Sequence, residues 1–439
     1  MTDPITTVKG TKDTRPRETP KWRFIESAIH DLASRYNYLE LRTPVFEETQ
    51  LFARGVGEYT DIVTKEMYTF TDQGENSLTL KPELTAPVIR SYIQHHYEQS
   101  SPLTKLYYIT PLFRQERPQA GRLRQFHQYG IEVIGSEHPE ADVESIAFAM
   151  DVYRHFGLAE LASRRKGQPL DLRLNSIGDE RCRPEYLERL KSALEPYRDQ
   201  LCKACQDRFH TNTLRLFDCK NETCQAIYDE HAPMIIDHLC TDCETHFQEV
   251  THQLNTLDIP YTIDPKLVRG LDYYTRTTFE ITSDLLGSQD ALCGGGRYDL
   301  LVEQLGGDPT PAVGFAAGIE RLIMVMEQED LFPDLEETLD LFIVVVGDDV
   351  RERAYAILQN LREHGIRCDM DFLRRSVKAQ FREANRQNAR YTIVLGGNEI
   401  EAGEATVKEM ESGEEQSVRF DGLVNFFAEK TSEPIYTNP

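Results

Sequence analysis

The chain has 439 residues, enough for about three domains at roughly 150 residues each, and its 26 glycines, 21 prolines and 40% hydrophobic content are those of an ordinary globular protein. Collagen-like, low-complexity and wholly disordered architectures are excluded. With 49 basic against 73 acidic residues the formal charge is −24, so the mean field repels a polyanion and any nucleic-acid site has to be a local basic patch.

The N-terminal MTDPITTVKGTKD has no apolar stretch behind a basic segment, so a cytoplasmic protein is expected. From Pro20, the apolar positions Trp22, Ile25, Ile29, Leu32, Ala33 and Tyr36 recur at helical spacing, and a strand-like LELRTPVFEE follows at 39–48. Between Tyr68 and Gly135 the chain is rich in β-branched and aromatic residues broken by turn signals, which predicts an antiparallel sheet interrupted by a helix at 84–97. A strand is expected at 172–178, then a helical insertion over about 180–256, strands at 261–263 and 278–282, and a buried helix from Phe315 to Met326. An acidic stretch from Glu327 to Thr338 marks a boundary, after which strands and helices alternate. Leu341 to Val346 predicts a buried strand; this longest apolar run is far shorter than the roughly 20 residues of a membrane helix. Asp348 or Asp349 is expected to cap a helix with Val350, Ala354, Ile357, Leu358 and Leu361 on its apolar face, ending at Gly365. Ile366, Cys368, Met370 and Phe372 then alternate with charged residues, as in a half-buried strand.

None of the common phosphate or metal signatures occurs, neither G-x-x-x-x-G-K-[ST] nor G-x-G-x-x-G after a strand, nor H-E-x-x-H, so a bound nucleotide has to be held by arginines. FRQERP at 113–118, Arg122 and Arg124 supply them; a guanidinium binds phosphate oxygens bidentately and keeps its charge. Seven of the nine cysteines fall between Cys182 and Cys243. Cys202 with Cys205 and Cys240 with Cys243 form two C-x-x-C pairs, the pairwise spacing of one structural zinc site, with Cys219 and Cys224 as substitutes. In RRSVKAQFREANRQNAR at 374–390, six basic residues stand against one acidic, and Lys378, Arg382 and Arg386, four apart, share one helical face, the electrostatic footprint of phosphate contact or else a solvated surface.

LYYITPLFRQERPQAGRLRQFHQYGIEVIG at 106–135 resembles the second motif of class II aminoacyl-tRNA synthetases in its histidyl form. GFAAGIERL at 314–322 resembles their third motif, and LVRGLDYYT at 267–275 the histidine-specific signature. GGGRYDLLVEQLGG at 294–307, VKGTKDTRP at 8–16 and Pro44 also fit. KPELTAP at 81–87 departs from the family at Leu84, commonly Gly there, while keeping Glu83 and Thr85.

The resemblance implies an α+β catalytic domain of class II type, an antiparallel sheet flanked by helices, in two parts at 1–178 and 258–328. Between them lies a helical insertion at 179–257, near the tRNA acceptor arm, and a C-terminal α/β anticodon-binding domain covers 338–432. It implies a homodimer without membrane association, ATP as substrate with Mg²⁺, L-histidine, and a histidine tRNA bound at acceptor arm and anticodon. Arg114 and Arg269 are then the catalytic arginines at the α-phosphate, Arg321 binds the γ-phosphate, and Arg122 lies near the polyphosphate. Phe126 stacks on adenine and Glu116 accepts from its amino edge. Glu83, Thr85 and Gln128 form the ammonium shell, Glu132 and Tyr274 read the imidazole, and Tyr273 is core. The competing reading is a non-catalytic histidine-sensing paralogue, such as the regulatory subunit of ATP phosphoribosyltransferase, which lacks the anticodon-binding domain; a third is a synthetase-like accessory subunit of a polymerase or kinase.

Overall fold

Helix Thr19–Arg35 buries Ile25, Ala28, Ile29, Leu32 and Ala33 on one side, the stripe its periodicity predicts. The computed structural model describes residues 3–57, 60–119, 121–159, 170–287, 290–336 and 338–430. Within the expected domain ranges, residues 1, 2, 58, 59, 120, 160–169, 288, 289, 431 and 432 lie outside the described residues. The chain divides into two units, residues 1–332 and 333–439.

The first unit is built on β1 (Leu39–Glu40), β2 (Phe46–Glu48), β3 (Tyr68–Thr71), β4 (Ser77–Leu80), β5 (Thr104–Phe113), β6 (Gln125–Ile134), β7 (Asp171–Ser176), β8 (Thr262–Ile263), β9 (Thr275–Thr282), β10 (Ala291–Arg297) and β11 (Ala312–Gly318). Eight of these form one sheet in the order β1-β5-β6-β11-β10-β9-β7-β8, and β2-β4-β3 form a small second sheet. The large sheet is mixed: its outer pairs, β1 with β5 and β7 with β8, are parallel, and every inner pair is antiparallel.

Period two divides its faces. Tyr129, Ile131 and Val133 of β6, Phe279 and Ile281 of β9 and Val313 and Phe315 of β11 pack beneath helices Thr19–Arg35, Pro139–His155 and Thr241–Thr256 in one core. Leu106, Tyr108 and Leu112 of β5 face the other way, toward helix Thr85–Gln94 and the helices Arg183–Leu194, Lys203–Thr211 and Glu222–His231 that lie between β7 and β8.

The second unit holds β12 (Leu339–Val345), β13 (Cys368–Met370), β14 (Ala389–Leu395), β15 (Glu404–Glu409) and β16 (Glu415–Arg419), in the order β13-β12-β14-β15-β16. β12 is buried on both faces, Leu341, Ile343 and Val345 against helix Arg351–Glu363 and Phe342 and Val344 against Ala384, which is why its sequence is uniformly apolar.

Four local expectations are corrected. Residues 39–48 form two short strands in different sheets, because Thr43-Pro44 interrupts them and proline has no amide to continue a ladder. Phe315–Gly318 belong to β11, paired with β6 through Gln128–Ile131, and the helix begins at Ile319. Neither Asp348 nor Asp349 caps helix Arg351–Glu363; Asp348 accepts instead from Arg351 Nε at 2.9 Å. Phe372 lies beyond β13 and is 60% exposed, so the alternation ends at Met370.

Sheet and helices are tied by one buried charge pair. Arg297, at the end of β10, directs Nε to both oxygens of Asp142 on helix Pro139–His155 (3.3 and 3.2 Å), and its terminal nitrogens donate to the Ser136 and His138 carbonyls at 2.7 and 3.0 Å. His246 Nε2 lies 3.3 Å from Asp142 Oδ2, joining a second helix. Burial by itself would raise the Asp142 pKa, but Arg297 and His246 outweigh it and hold the carboxyl at about 2. Arg297→Met leaves the buried Asp142 with His246 alone beside it and is expected to cost about 3–5 kcal/mol in urea unfolding, with part recovered by the added Asp142→Leu; an equal loss in the double variant would show that the pair does not couple them.

Candidate active site

On the face of the large sheet away from the helices that flank Tyr129 and Phe315, cross-strand register fixes two rows. One runs Glu132 (β6), Gly314 (β11), Gly296 (β10), Thr278 (β9); the next runs Gly130, Ala316, Gly294, Glu280. Directly opposed residues share a face, so β11 shows only Ala312, Gly314, Ala316 and Gly318 here, and β10 shows Gly294 and Gly296. Two adjacent strands with nothing larger than a methyl group make the floor of a trough walled by β6 and β9. Long side chains occupy that floor. A Cβ on Gly314 would lie 1.9 Å from Glu132 Oε2, and one on Gly294 would lie 2.1 Å from Arg269 Nη2.

Over the trough opens a cavity of about 930 Å³. Arg114, Arg122, Arg173, Arg208, Arg215, Arg269, Arg321 and Lys220 line it, against the carboxylates of Glu116, Asp218, Glu280, Asp290 and Glu320. In a chain of charge −24 this excess of cations is the local basic patch that a polyanionic ligand requires. Two arginines are held by carbonyls, and Glu116 Oε1 also lies 3.8 Å from Arg114 Nη1. Arg114 Nε donates to Pro82 O at 2.8 Å, with its guanidinium 5.3 Å from the centre of the Phe126 ring. Arg321 donates to Gly121 O (3.1 Å) and Ala291 O (2.5 Å). Burial, reinforced by the like charge of Arg122, lowers the Arg321 pKa, the signature of a cation awaiting an anion. Arg122 is paired with Glu116, and Arg269 Nη1 with Glu280 Oε2 at 2.6 Å.

Beside the cavity lies a buried polar cluster. Glu132, 1% exposed, accepts from Thr85 Oγ1 (2.9 Å), Tyr108 OH (3.2 Å) and Tyr298 OH. The two Glu83 oxygens accept from the Thr85 and Ala86 amides, at 2.8 and 3.0 Å, at the start of helix Thr85–Gln94. Burial pushes Glu132 up to about 8 and Glu83 up to about 7, because no cation is bonded to either. Arg269, 6.0 Å over the Tyr274 ring, connects cluster and cavity.

Of the residues singled out from sequence, Arg114, Glu116, Arg122, Phe126, Gln128, Arg269 and Arg321 line the cavity. Glu83, Thr85, Glu132 and Tyr274 do not; they belong to the adjoining cluster, with Tyr273 packed between Tyr274 and Tyr298. Tyr108, Tyr298 and Glu280 were missed. The signal for Glu280 is a charged residue between the apolar Phe279 and Ile281 of a strand; Tyr108 and Tyr298 read as ordinary core aromatics.

Two further expectations concern other regions. In the second unit, helix Val377–Arg386 turns Gln380 and Ala384 inward and leaves Lys378 and Arg382 exposed and, among the described residues, without an ion-pair partner; Arg386 is exposed but paired with Glu383. The four cysteines Cys202, Cys205, Cys240 and Cys243 do not meet at one site. Cys202 and Cys205 converge with Cys219 and Cys224, while Cys240 and Cys243 converge with Cys182 and Asp179. Sequence spacing pairs the two C-x-x-C units, but each opens a different helix, and each helix start faces different neighbours.

Residues 10–322 match the sequence profile of the family described as histidyl-tRNA synthetase, and residues 340–430 that of the anticodon binding domain. The histidine–tRNA ligase of Natranaerobius thermophilus is 47% identical over 410 residues, covering 93% of this chain and 95% of that protein. The crystal structure of apo S. aureus histidyl-tRNA synthetase superposes with a TM-score of 0.80 at 42% identity, covering 96% of this chain and 99% of the other. A structure titled as an ATP phosphoribosyltransferase regulatory subunit/histidyl-tRNA synthetase from Bacillus halodurans C, 21% identical, covers 89% of this chain and 99% of its own with a TM-score of 0.62, a likeness of fold alone.

The raised carboxyls make cation binding proton-linked. Glu83 and Glu132 are largely protonated at pH 6, and an ammonium beside them favours their ionised forms. L-Histidine affinity is therefore expected to rise as pH goes from about 6 to 8, with proton release on binding. Calorimetry in buffers of different ionisation enthalpy measures that release. Buffer-independent heats, after correction for the ionisation of histidine's own imidazole, would show that neither carboxyl loses a proton.

Proposed function

The chain belongs to the histidyl-tRNA synthetase family, and on that footing we propose how its residues divide the work of activation and transfer. The enzyme activates L-histidine with ATP to histidyl-adenylate and pyrophosphate, then passes the histidine to the 3′-terminal ribose of its tRNA. The observation that carries the assignment is the junction at Arg269, where a cation-rich cavity meets two buried carboxylates without a cation of their own.

ATP occupies the cavity. Phe126 has Arg114 over one face of its ring and stacks adenine, whose amino edge donates to Glu116. Arg114 and Arg269 bind the α-phosphate, Arg122 lies along the polyphosphate, and Arg321, fixed by two carbonyls, meets the γ-phosphate. Mg²⁺ bound with the polyphosphate would neutralise part of its charge, with Asp290 and Glu280, the latter paired with Arg269, as the nearby wall carboxylates that would hold it.

Histidine lies toward the cluster, its ammonium near Glu83, Thr85 and Gln128, its imidazole between Glu132 and Tyr274, and its carboxylate toward Arg269. That carboxylate attacks the α-phosphorus and pyrophosphate leaves. Charge builds on the phosphate oxygens in this step, so fixed guanidiniums lower the barrier with little reorganisation. A side chain that cannot donate to Glu132 would leave that buried carboxylate with only its three hydroxyl donors and no further compensation for its charge, which rejects it at binding. Lys378 and Arg382 contact tRNA phosphates in the anticodon-binding domain. No helix among the described residues is long and apolar enough to cross a membrane, in keeping with a cytoplasmic enzyme.

Histidine-dependent ATP–pyrophosphate exchange tests the activation step. Arg269→Ala is expected to lower exchange about 10²–10³-fold while histidine still binds; an unchanged rate would remove Arg269 from the chemistry. Histidine binding without exchange in the unmodified protein would point to a histidine sensor. Lys378→Ala with Arg382→Ala should leave exchange intact and reduce the salt slope of tRNA binding by about two contacts.

Dimerisation through the segment around Pro44 is supported by its exposed apolar side chains: Leu39, Val45, Phe46 and Phe70 are all open to solvent, and the Phe46 and Phe70 rings lie 6.4 Å apart. Light scattering should give a dimer for the unmodified chain and a monomer for Phe46→Asp. A dimer in both would move the interface elsewhere.

A further inference from the structure

Residues 179–243 carry two quartets of metal-binding side chains outside the nucleotide chemistry: Cys202, Cys205, Cys219 and Cys224, and Asp179, Cys182, Cys240 and Cys243. All seven cysteines are free thiols. Cys202 and Cys219 have their Sγ atoms 3.7 Å apart, Cys182 and Cys243 3.9 Å, and the ligand atoms of each quartet all lie within 4.8 Å of one another. A disulfide needs about 2.05 Å. Four thiolates about 2.3 Å from a zinc ion at tetrahedral angles lie about 3.8 Å from one another. In the second quartet, Asp179 Oδ1 lies 3.7 Å from Cys182 Sγ and 3.9 Å from Cys240 Sγ, close to the roughly 3.6 Å that one oxygen and one sulfur ligand of tetrahedral zinc would show.

The backbone repeats the same device in both places. Cys202 is the N-cap of helix Lys203–Thr211, with Cys205 in its first turn; Cys240 is the N-cap of helix Thr241–Thr256, with Cys243 in its first turn. Each C-x-x-C pair thus sits at the start of a helix, where free amides face the sulfur atoms. Outer partners hold those atoms in place. The Cys202 amide donates to Cys224 Sγ at 3.2 Å and the Asn221 amide to Cys219 Sγ at 3.4 Å. Asp179 Oδ2 is held by Arg181 and approached by Arg276 at 3.6 Å, cations that offset an anionic ligand set.

We infer that this segment holds two separate zinc ions, one in each quartet, rather than one ion shared by the two C-x-x-C pairs. The first ion anchors a wall of the ATP cavity, because Phe217, Asp218, Cys219 and Lys220 line it. The second fastens the segment to the large sheet, because Asp179 and Cys182 follow β7 directly and Arg276 lies on β9.

Metal analysis of the full chain, purified without chelator and dialysed against metal-free buffer, is expected to give about two zinc ions per chain. Cys219→Ala and Cys240→Ala are each expected to retain about one. Cobalt-substituted protein should show thiolate charge-transfer and tetrahedral d–d absorption, reduced but not abolished in either variant. The count on the unmodified chain stands even where a variant fails to fold. Less than about 0.2 zinc per chain with all nine thiols titratable, one zinc per unmodified chain that either substitution abolishes, or thiols consumed as disulfides would overturn the inference. Iron bound in place of zinc, with its visible thiolate absorption, overturns it as well.

Discussion

Much of this site depends on a steric constraint: two neighbouring strands, β10 and β11, expose nothing bulkier than alanine on one face of the sheet. That emptiness lets Arg269 and Glu132 lie flat against the backbone, where a single added methyl would meet them near 2 Å. Small residues give a strand little to pack, so their use here costs stability. The opposite face offsets that cost, with Val313 and Phe315 alternating with the small residues and buried beneath the helices. One strand therefore serves both core and trough through period two.

The second organising feature is how charge is kept away from water. Arg297 and Asp142 neutralise each other, and with His246 they join sheet to helices. Glu132 and Glu83 have hydrogen bonds but no bonded cation, so burial raises both. The first arrangement is structural. The second leaves an unmet demand for positive charge beside a cavity with an unmet demand for negative charge, and a zwitterionic amino acid next to a nucleoside triphosphate satisfies both.

The elements most legible in the sequence were those with one unambiguous period. Helix Thr19–Arg35 and strand β12 follow from their own apolar spacing. Residues 312–318 were harder: AVGFAAG is mostly small, its alternation is faint, and the helix after it is strongly apolar, so the strand read as part of the helix. Of the site, Arg114 and Arg122 stood out because an acidic chain concentrates arginines at 114–124, whereas Arg269 and Arg321 followed only from the motifs they resemble. Tyr108 and Tyr298 did not, since a tyrosine bonded to a buried carboxylate looks in sequence like any core aromatic.

The sequence alone determined the chemical inventory: which arginines, carboxylates and cysteines are present, and, through motif order, the family to which they belong. Tertiary structure decided the partnerships. Whether Cys202 meets Cys240 or Cys219 depends on how helices between β7 and β8 pack, and whether Glu132 faces trough or core depends on the register of β6 against β11. Register and helix packing are set by contacts far apart along the chain, and a slip of one residue in β6 would turn Glu132 away from the trough.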